Sequence, residues 1–283
     1  MGKEKGKTSL SFCIFEVTMF TRFQLAKKYL HYYRTASNGK GHGIHSPFVF
    51  DFVKNVLNDK KKYPAYKPIE SLRKKMFADP AVIDVEDFGA GSSVIKTKKR
   101  VVSAIAESSL KPKKYAQLLY RMVQYYKPET ILELGTSFGI TTAYLASANE
   151  GSNVITCEGS GAIASIAIEN FKALQLENVI MAPGDFAKTI TPLLSDLTNI
   201  NFAFIDGNHR KEPTLSYFEQ LLNISTPSTI LVFDDIHWSA EMEEAWDTIK
   251  QHPAVTLTID LFFIGIVFIN PDFKIPQHFS IRF

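Results

Sequence analysis

From residue 115 onward the chain alternates between two hydrophobic rhythms. Tyr115, Leu118, Leu119, Met122, Val123 and Tyr126 recur at the spacing of one helix face, and Pro128 stops the run. Short β-rich runs follow at 130–134 (TILEL), 153–158 (NVITCE), 178–183 (NVIMAP), 201–206 (NFAFID) and 229–235 (TILVFDD). Amphipathic segments separate them, which predicts a parallel sheet covered by helices on both faces. In 254–269 (AVTLTIDLFFIGIVFI) two β-rich runs leave no room for a helix, so the sheet is expected to close with an antiparallel pair.

Before residue 115 the pattern is one of short helices and loops. Phe23, Ala26, Leu30 and Tyr33 make an apolar stripe, and Ile69, Leu72 and Met76 another. Ser46 and Pro47 have the chemistry of a helix cap and first position, ahead of Val49, Phe52, Val53, Val56 and Leu57. A further helix is expected around Val101, Val102, Ile105 and Ala106. The chain thus divides into 19–114, a helical lid or substrate region, and 115–283, an α/β domain with a Rossmann-like sheet. Residues 1–18 read as a disordered extension or a start-site artefact. Their Lys3, Lys5 and Lys7 before LSFCIF imitate a secretory leader, but Glu16 follows closely and no small-x-small cleavage site appears.

The change of rhythm coincides with a change of charge. Residues 1–114 hold 23 Lys+Arg against 10 Asp+Glu, and 115–283 hold 9 against 19, so the overall +3 conceals two unlike parts. Cys13 and Cys157 lie far apart without metal-type spacing, which excludes a disulfide framework and fits a reducing compartment, the cytoplasm. No apolar window approaches the ~18 residues a spanning helix needs, so no membrane association is expected.

Two glycine stretches compete as a nucleotide loop: VEDFGAGSSV (85–94) and ILELGTSFGI (131–140). Such a loop needs a buried strand before it, a helix after it, and an acid at the end of the next strand for the ribose hydroxyls. Around Gly89 and Gly91 the flanks are acidic and then KTKKR, and no strand with an acid follows; this stretch reads as a connecting loop. Around Gly135 every condition holds, with Glu158 as the acid. Gly135 permits the turn off the strand, and Gly139 is expected to bring the helix start close to the ligand. Ser137 stands where a pyrophosphate-binding loop needs glycine, which argues against a dinucleotide.

The stretch LELGTSFGITTAYLA resembles the first motif of class I S-adenosylmethionine-dependent methyltransferases, in particular the O-methyltransferase branch. The likeness covers about 115–270 and implies a seven-stranded sheet ending in an antiparallel pair. It also implies that Glu133, Gly135, Thr136, Ser137 and Gly139 surround the methionine end of the cofactor. Glu158 would take the ribose diol, and Gly184, Asp185 and Phe186 would flank the adenine.

Two further clusters fall at carboxyl ends of strands, FIDGNHR (204–210) and FDDIHWS (233–239). They gather Asp206, Asp234 and Asp235, which would repel one another without a cation between them, and all-oxygen ligation suits Mg²⁺ or another hard divalent ion. Metal-dependent members of the resembled family carry Asp, then Asp-Asn, with a lysine base; here the pair is Asp-Asp and His209 stands in the lysine's place. These departures resemble the relatives that act on sugar or macrolide hydroxyls. The expected chemistry is O-methylation of a small-molecule hydroxyl, with His209 as base, His237 as second candidate, and Asp206 at the metal or the cofactor. Ser239 is expected to cap the helix AEMEEAWDTIK. His42 and His45 are candidates for substrate contact. Two rival readings are a nucleic-acid methyltransferase using the basic first part, and a catalytically silent scaffold whose Phe-rich stretches bind a partner. The same stretches suit a homodimer contact.

Overall fold

A computed structural model describes residues 19–87 and 96–283. Residues 1–18 and the loop with Gly89 and Gly91, the subjects of two expectations above, lie outside the described residues. The helices are α1 (Arg22–Thr35), α2 (Pro47–Phe52), α3 (Tyr66–Ala78), α4 (Val102–Ser109), α5 (Lys113–Tyr126), α6 (Ile140–Ala148), α7 (Gly161–Ala173), α8 (Phe186–Ser195), α9 (Lys211–Leu222) and α10 (Ala240–Gln251). A π-helical turn, Val53–Leu57, continues α2. The strands are β1 (Val82–Asp87), β2 (Lys96–Val101), β3 (Thr130–Leu134), β4 (Asn153–Glu158), β5 (Val179–Pro183), β6 (Ile200–Ile205), β7 (Ser225–Asp234), β8 (Leu257–Asp260), β9 (Ile264–Phe268) and β10 (Gln277–Ser280).

The sheet has eight strands in the order β10-β8-β9-β7-β6-β3-β4-β5. The five β-rich runs become β3 to β7, all parallel, and β9 lies antiparallel to both β7 and β8 as expected. The eighth strand, β10, joins the outer edge parallel to β8. Its sequence, QHFS, has no hydrophobic alternation to betray it. A separate antiparallel ribbon pairs β1 with β2. KTKKRV reads as loop by composition, yet the register sets it against an acidic partner, with Lys99 opposite Asp84.

Alternation along the strands sorts side chains to two faces. Ile131, Phe202, Phe204, Ile230 and Val232 enter one cluster with α5 and α6. Leu132, Leu134, Ala203, Ile205, Leu231 and Phe233 enter the other, against α8, α9 and α10. The basic first part is joined to the first cluster through Val49, Phe52, Ile69, Leu72 and Met76, so 19–114 packs directly on this face of the sheet. The expected boundary at 114/115 falls inside α5.

The cap chemistry expected at Ser46, Pro47 and Ser239 is present. Ser46 Oγ accepts from the Val49 amide at 3.5 Å, and Ser239 Oγ from the Met242 amide at 3.2 Å. The stripe on α1 does not bury as its spacing predicts. Phe23 is 81% exposed, and Leu30 and Tyr33 are about half exposed, while Tyr32 on another face packs against Phe262. A helical period locates a stripe; it does not say which side the sheet lies on.

Candidate active site

Register builds the rim of the site. Cys157, Leu134, Ile205 and Phe233 form one row across β4, β3, β6 and β7. The next residue on each strand is Glu158, Gly135, Asp206 and Asp234, and all four line one cleft of about 600 Å³. This is the carboxyl edge, at the switch point where the chain runs from β3 outward in both directions. The volume falls in the range of small-molecule sites. Asp206 and Asp234 continue the alternation of Phe204 and Val232, so both carboxylates lie on the α5 side of the sheet.

The loop after β3 is fixed by close contacts. Gly135 has φ +104°, and a Cβ there would sit 2.0 Å from the Asp206 carbonyl oxygen. Only glycine fits. Ser137 also adopts positive φ, and its amide donates to Glu158 Oε2 at 2.8 Å while the Ser160 amide donates to Oε1 at 3.0 Å. The Gly159 amide also contributes, and the carboxylate keeps acceptor capacity for a further donor. Burial raises its pKa, against the pull of these amides. Gly139 packs closely, a Cβ there meeting the Phe171 ring on α7 at 2.3 Å, and it is not among the residues lining the cleft.

Several expected cofactor contacts lie behind the cleft instead of facing it. Glu133 is fully buried, and the hydroxyls of Thr142 and Thr156 donate to its Oε2. Burial pushes its pKa up to about 7. Thr136 is buried with its hydroxyl 2.6 Å from that of Thr156. Asp185 caps α8 through the Ala187 amide at 3.1 Å, and Gly184 turns beside Thr189. Of the GDF triplet, only Phe186 lines the cleft. These residues shape the loop and strand ends; the lining surface belongs to Gly135, Ser137, Glu158 and Phe186.

At the other end of the cleft the two histidines separate. His209 lines it, with Nε2 3.6 Å from Asp206 Oδ1, and its ring makes no hydrogen bond among the described residues. Burial lowers its pKa, more than the nearby Asp234 raises it, which favours the neutral ring. His237 does not line the cleft. Its Nδ1 lies 3.0 Å from Glu243 and its Nε2 2.8 Å from Asp260, and its ring stacks on Phe262. Both ring nitrogens are committed, so the expectation of a second base is corrected. His42 and His45 are exposed and also lie away from the cleft.

The acids come together, but not as a three-carboxylate shell. Asp206, His209 and Asp234 offer donor atoms within 4.8 Å of one another; Asp235 is outside that set. Asp235 still lines the cleft, at φ +51°, with its pKa pushed up to about 7 by burial and then by Asp234. Burial and Asp234 likewise raise Asp206. The cation among these acids is Lys111, which no motif in the sequence marks. Its Nζ hydrogen-bonds Asp234 Oδ2 and lies 3.6 Å from Asp206 Oδ2. Burial alone would lower the pKa of Lys111; Asp234, Asp206 and Asp235 together hold it above the usual lysine range. The donor set by itself suits a divalent ion, and Asp234 Oδ1 has no hydrogen-bond partner among the described residues. The ammonium already bonded between the carboxylates does not fit such an ion as a resident. Aromatic walls complete this end of the cleft: Tyr115, Trp238 and Phe263.

Comparison with known proteins places the architecture. The fold is that of the class I O-methyltransferases. Solved examples include the O-methyltransferase of Bacillus cereus in complex with SAH (21% identity, 78% of this chain, 97% of that one, TM-score 0.53). Another is the SAH-bound methyltransferase PaMTH1 of Podospora anserina (10% identity, 90% and 99%, TM-score 0.56). Residues 132–236 match the family described as "Methyltransferase domain". A catechol O-methyltransferase of Niastella koreensis is 31% identical over 126 residues, which is 44% of this chain; the chain spans 55% of that relative's length. No helix among the described residues is long and apolar enough to cross a membrane.

Proposed function

We propose that the protein transfers a methyl group from S-adenosylmethionine to a hydroxyl of a small molecule. The observation that carries this reading is the placement of Glu158 and the unbonded His209 in one cleft at the switch point of the sheet. Glu158, with acceptor capacity left on its carboxylate, would take the ribose hydroxyls, and Phe186 would flank the adenine. Gly135 and Ser137 would lie against the methionine end, where backbone can approach and no phosphate must be accommodated. When bound, the cofactor would supply an electrophilic sulfonium methyl for the acceptor oxygen, its sulfur retaining the electron pair of the bond that breaks.

The remaining work falls to the chain. His209, whose neutral form is favoured by burial, accepts the hydroxyl proton as the acceptor oxygen becomes nucleophilic. Asp206, beside its Nε2, favours the imidazolium that results. Tyr115, Trp238 and Phe263 exclude water and orient the acceptor's apolar body, which supports a flat or hydrophobic hydroxyl compound over a highly polar one. The names of the relatives agree with O-methylation and include a catechol O-methyltransferase.

The test is calorimetry with S-adenosylhomocysteine on the wild-type protein and on Glu158→Ala, followed by methyl transfer to a panel of hydroxyl compounds. Binding to the wild type that falls by about 10- to 100-fold in the variant is expected from the loss of one or two hydrogen bonds to a carboxylate. No binding to the wild type defeats the reading.

A further inference from the structure

We propose that the Lys111 ammonium is the resident cation of this site, occupying the place between Asp206 and Asp234 that a divalent ion would otherwise take. The assignment deepens the methyl-transfer reading and rests on it only for its consequence in catalysis. The ion question stands on geometry alone.

Three observations carry it. First, Nζ engages one oxygen of each carboxylate, Asp234 Oδ2 by a hydrogen bond and Asp206 Oδ2 at 3.6 Å, and the lysine side chain is 10% exposed. Those carboxylates supply two of the three donors that could hold a metal, the third being His209. An ion seated there would be a second cation beside the first, competing for the same two groups. Second, the lysine is held in place from behind. Arg73 Nη1 donates to the Lys111 carbonyl at 2.7 Å, Arg73 Nε to Glu70 at 3.0 Å, and the Tyr144 hydroxyl to the same Glu70 oxygen at 2.8 Å. Arg73 is itself 5% exposed. This relay ties α3 and α6 to the Lys111 backbone, and Pro112 next to it stands at the N-cap of α5. Third, Asp235 lines the cleft yet lies outside the donor set, so the paired acid does not complete a three-carboxylate shell for an ion.

In the reaction, Lys111 would do what a metal does for the acceptor oxygen, by charge and hydrogen bonding rather than by ligation. The proton of the acceptor still goes to His209.

The experiment is Mn²⁺ titration of the full-length protein near pH 7, with free ion read from its electron paramagnetic resonance signal. The wild type is expected to show no stoichiometric binding at submillimolar ion. Lys111→Met, which removes the charge and keeps the length, is expected to gain one site at least about tenfold tighter. Lys111→Met with Asp234→Asn is expected to lose it again. Equal affinity in wild type and Lys111→Met, whether tight or absent in both, overturns the proposal. Circular dichroism checks the variant; should it fail to fold, stoichiometric binding to the wild type overturns the proposal and its absence, kept in Lys111→Arg, sustains it. Wild-type methyl transfer indifferent to a chelator is the expected companion result. Because ion binding is read without cofactor or acceptor, failure to bind S-adenosylhomocysteine would defeat the methyltransferase reading and leave this result standing.

Discussion

Two hollows in this molecule contain nearly the same chemistry. The cleft at the strand ends holds His209, Lys111 and a group of acids; a cavity of about 560 Å³ beside α1 holds His237, Lys28, Glu243 and Asp260. They differ in what is already claimed. In the second hollow both imidazole nitrogens face carboxylates, and Lys28 bonds Glu243 at 2.8 Å. In the first, among the described residues, His209 has no hydrogen bond and Asp234 keeps an unpartnered oxygen. A polar cluster that has satisfied itself is a structural joint; one with unspent donors and acceptors is fit to handle a substrate.

The sharpest way to break this contrast is to delete each imidazole. His209→Ala is expected to lower kcat by about 10²- to 10⁴-fold, the range for a lost general base. His237→Ala should leave kcat within a few-fold, measured on the folded fraction. The opposite ranking would reverse the assignment. Stability should move the other way: removing His237 leaves Asp260 without its cationic partner and Glu243 with Lys28 alone, at a cost of about 2 kcal/mol in urea unfolding, reduced from the fully buried case by partial exposure.

That stabilisation should depend on pH with a definite sign. Burial alone would lower the pKa of His237, but Asp260 and then Glu243 hold it above the ordinary histidine value. Because the folded pKa exceeds the unfolded value of ~6.5, the contribution is complete below that value and disappears as pH rises through the folded pKa. The gap in melting temperature between wild type and His237→Gln is therefore expected to narrow from pH 6 toward pH 9. A gap that widens would mean the ring is neutral.

The smallest expected effect concerns the two lysines. Lys28 is 36% exposed at its side chain and Lys111 is 10%. Lys28→Met should cost less than about 1 kcal/mol, as for a surface ion pair. It should also leave Mn²⁺ binding unchanged. A large loss there would erase the distinction between the hollows.

Much of the sheet was legible because a buried parallel strand must be almost continuously apolar. NVITCE became β4 over the same residues, and TILEL became β3. Glu158 and Asp206 were legible for a related reason: both stand at the carboxyl end of an obvious strand. The side-chain roles were less so. Thr136 and Glu133 belong to the same motif as Ser137 yet turn behind the loop, because their hydrogen-bond partners, Thr156 and Thr142, come from other elements. Lys111 carried no local signal at all. The sequence required a cation among three acids, but which one depends on how α3 and α5 dock. His237 failed as a base for the same reason, since Asp260 arrives from a strand more than twenty residues away.

The first described helix is secured by residues far downstream. The Tyr32 hydroxyl donates to the Ile281 carbonyl, 249 positions on, Arg282 Nε donates to the Ala36 carbonyl at 3.1 Å, and Ser37 bridges Ile281 beside β10. During synthesis, then, α1 emerges early and waits. Its seat does not exist until nearly all of the sheet has left the ribosome, so the wall it forms beside His237 is a late event in assembly, and a nascent chain halted before residue 281 would carry an undocked, aromatic-rich helix for chaperones to shield.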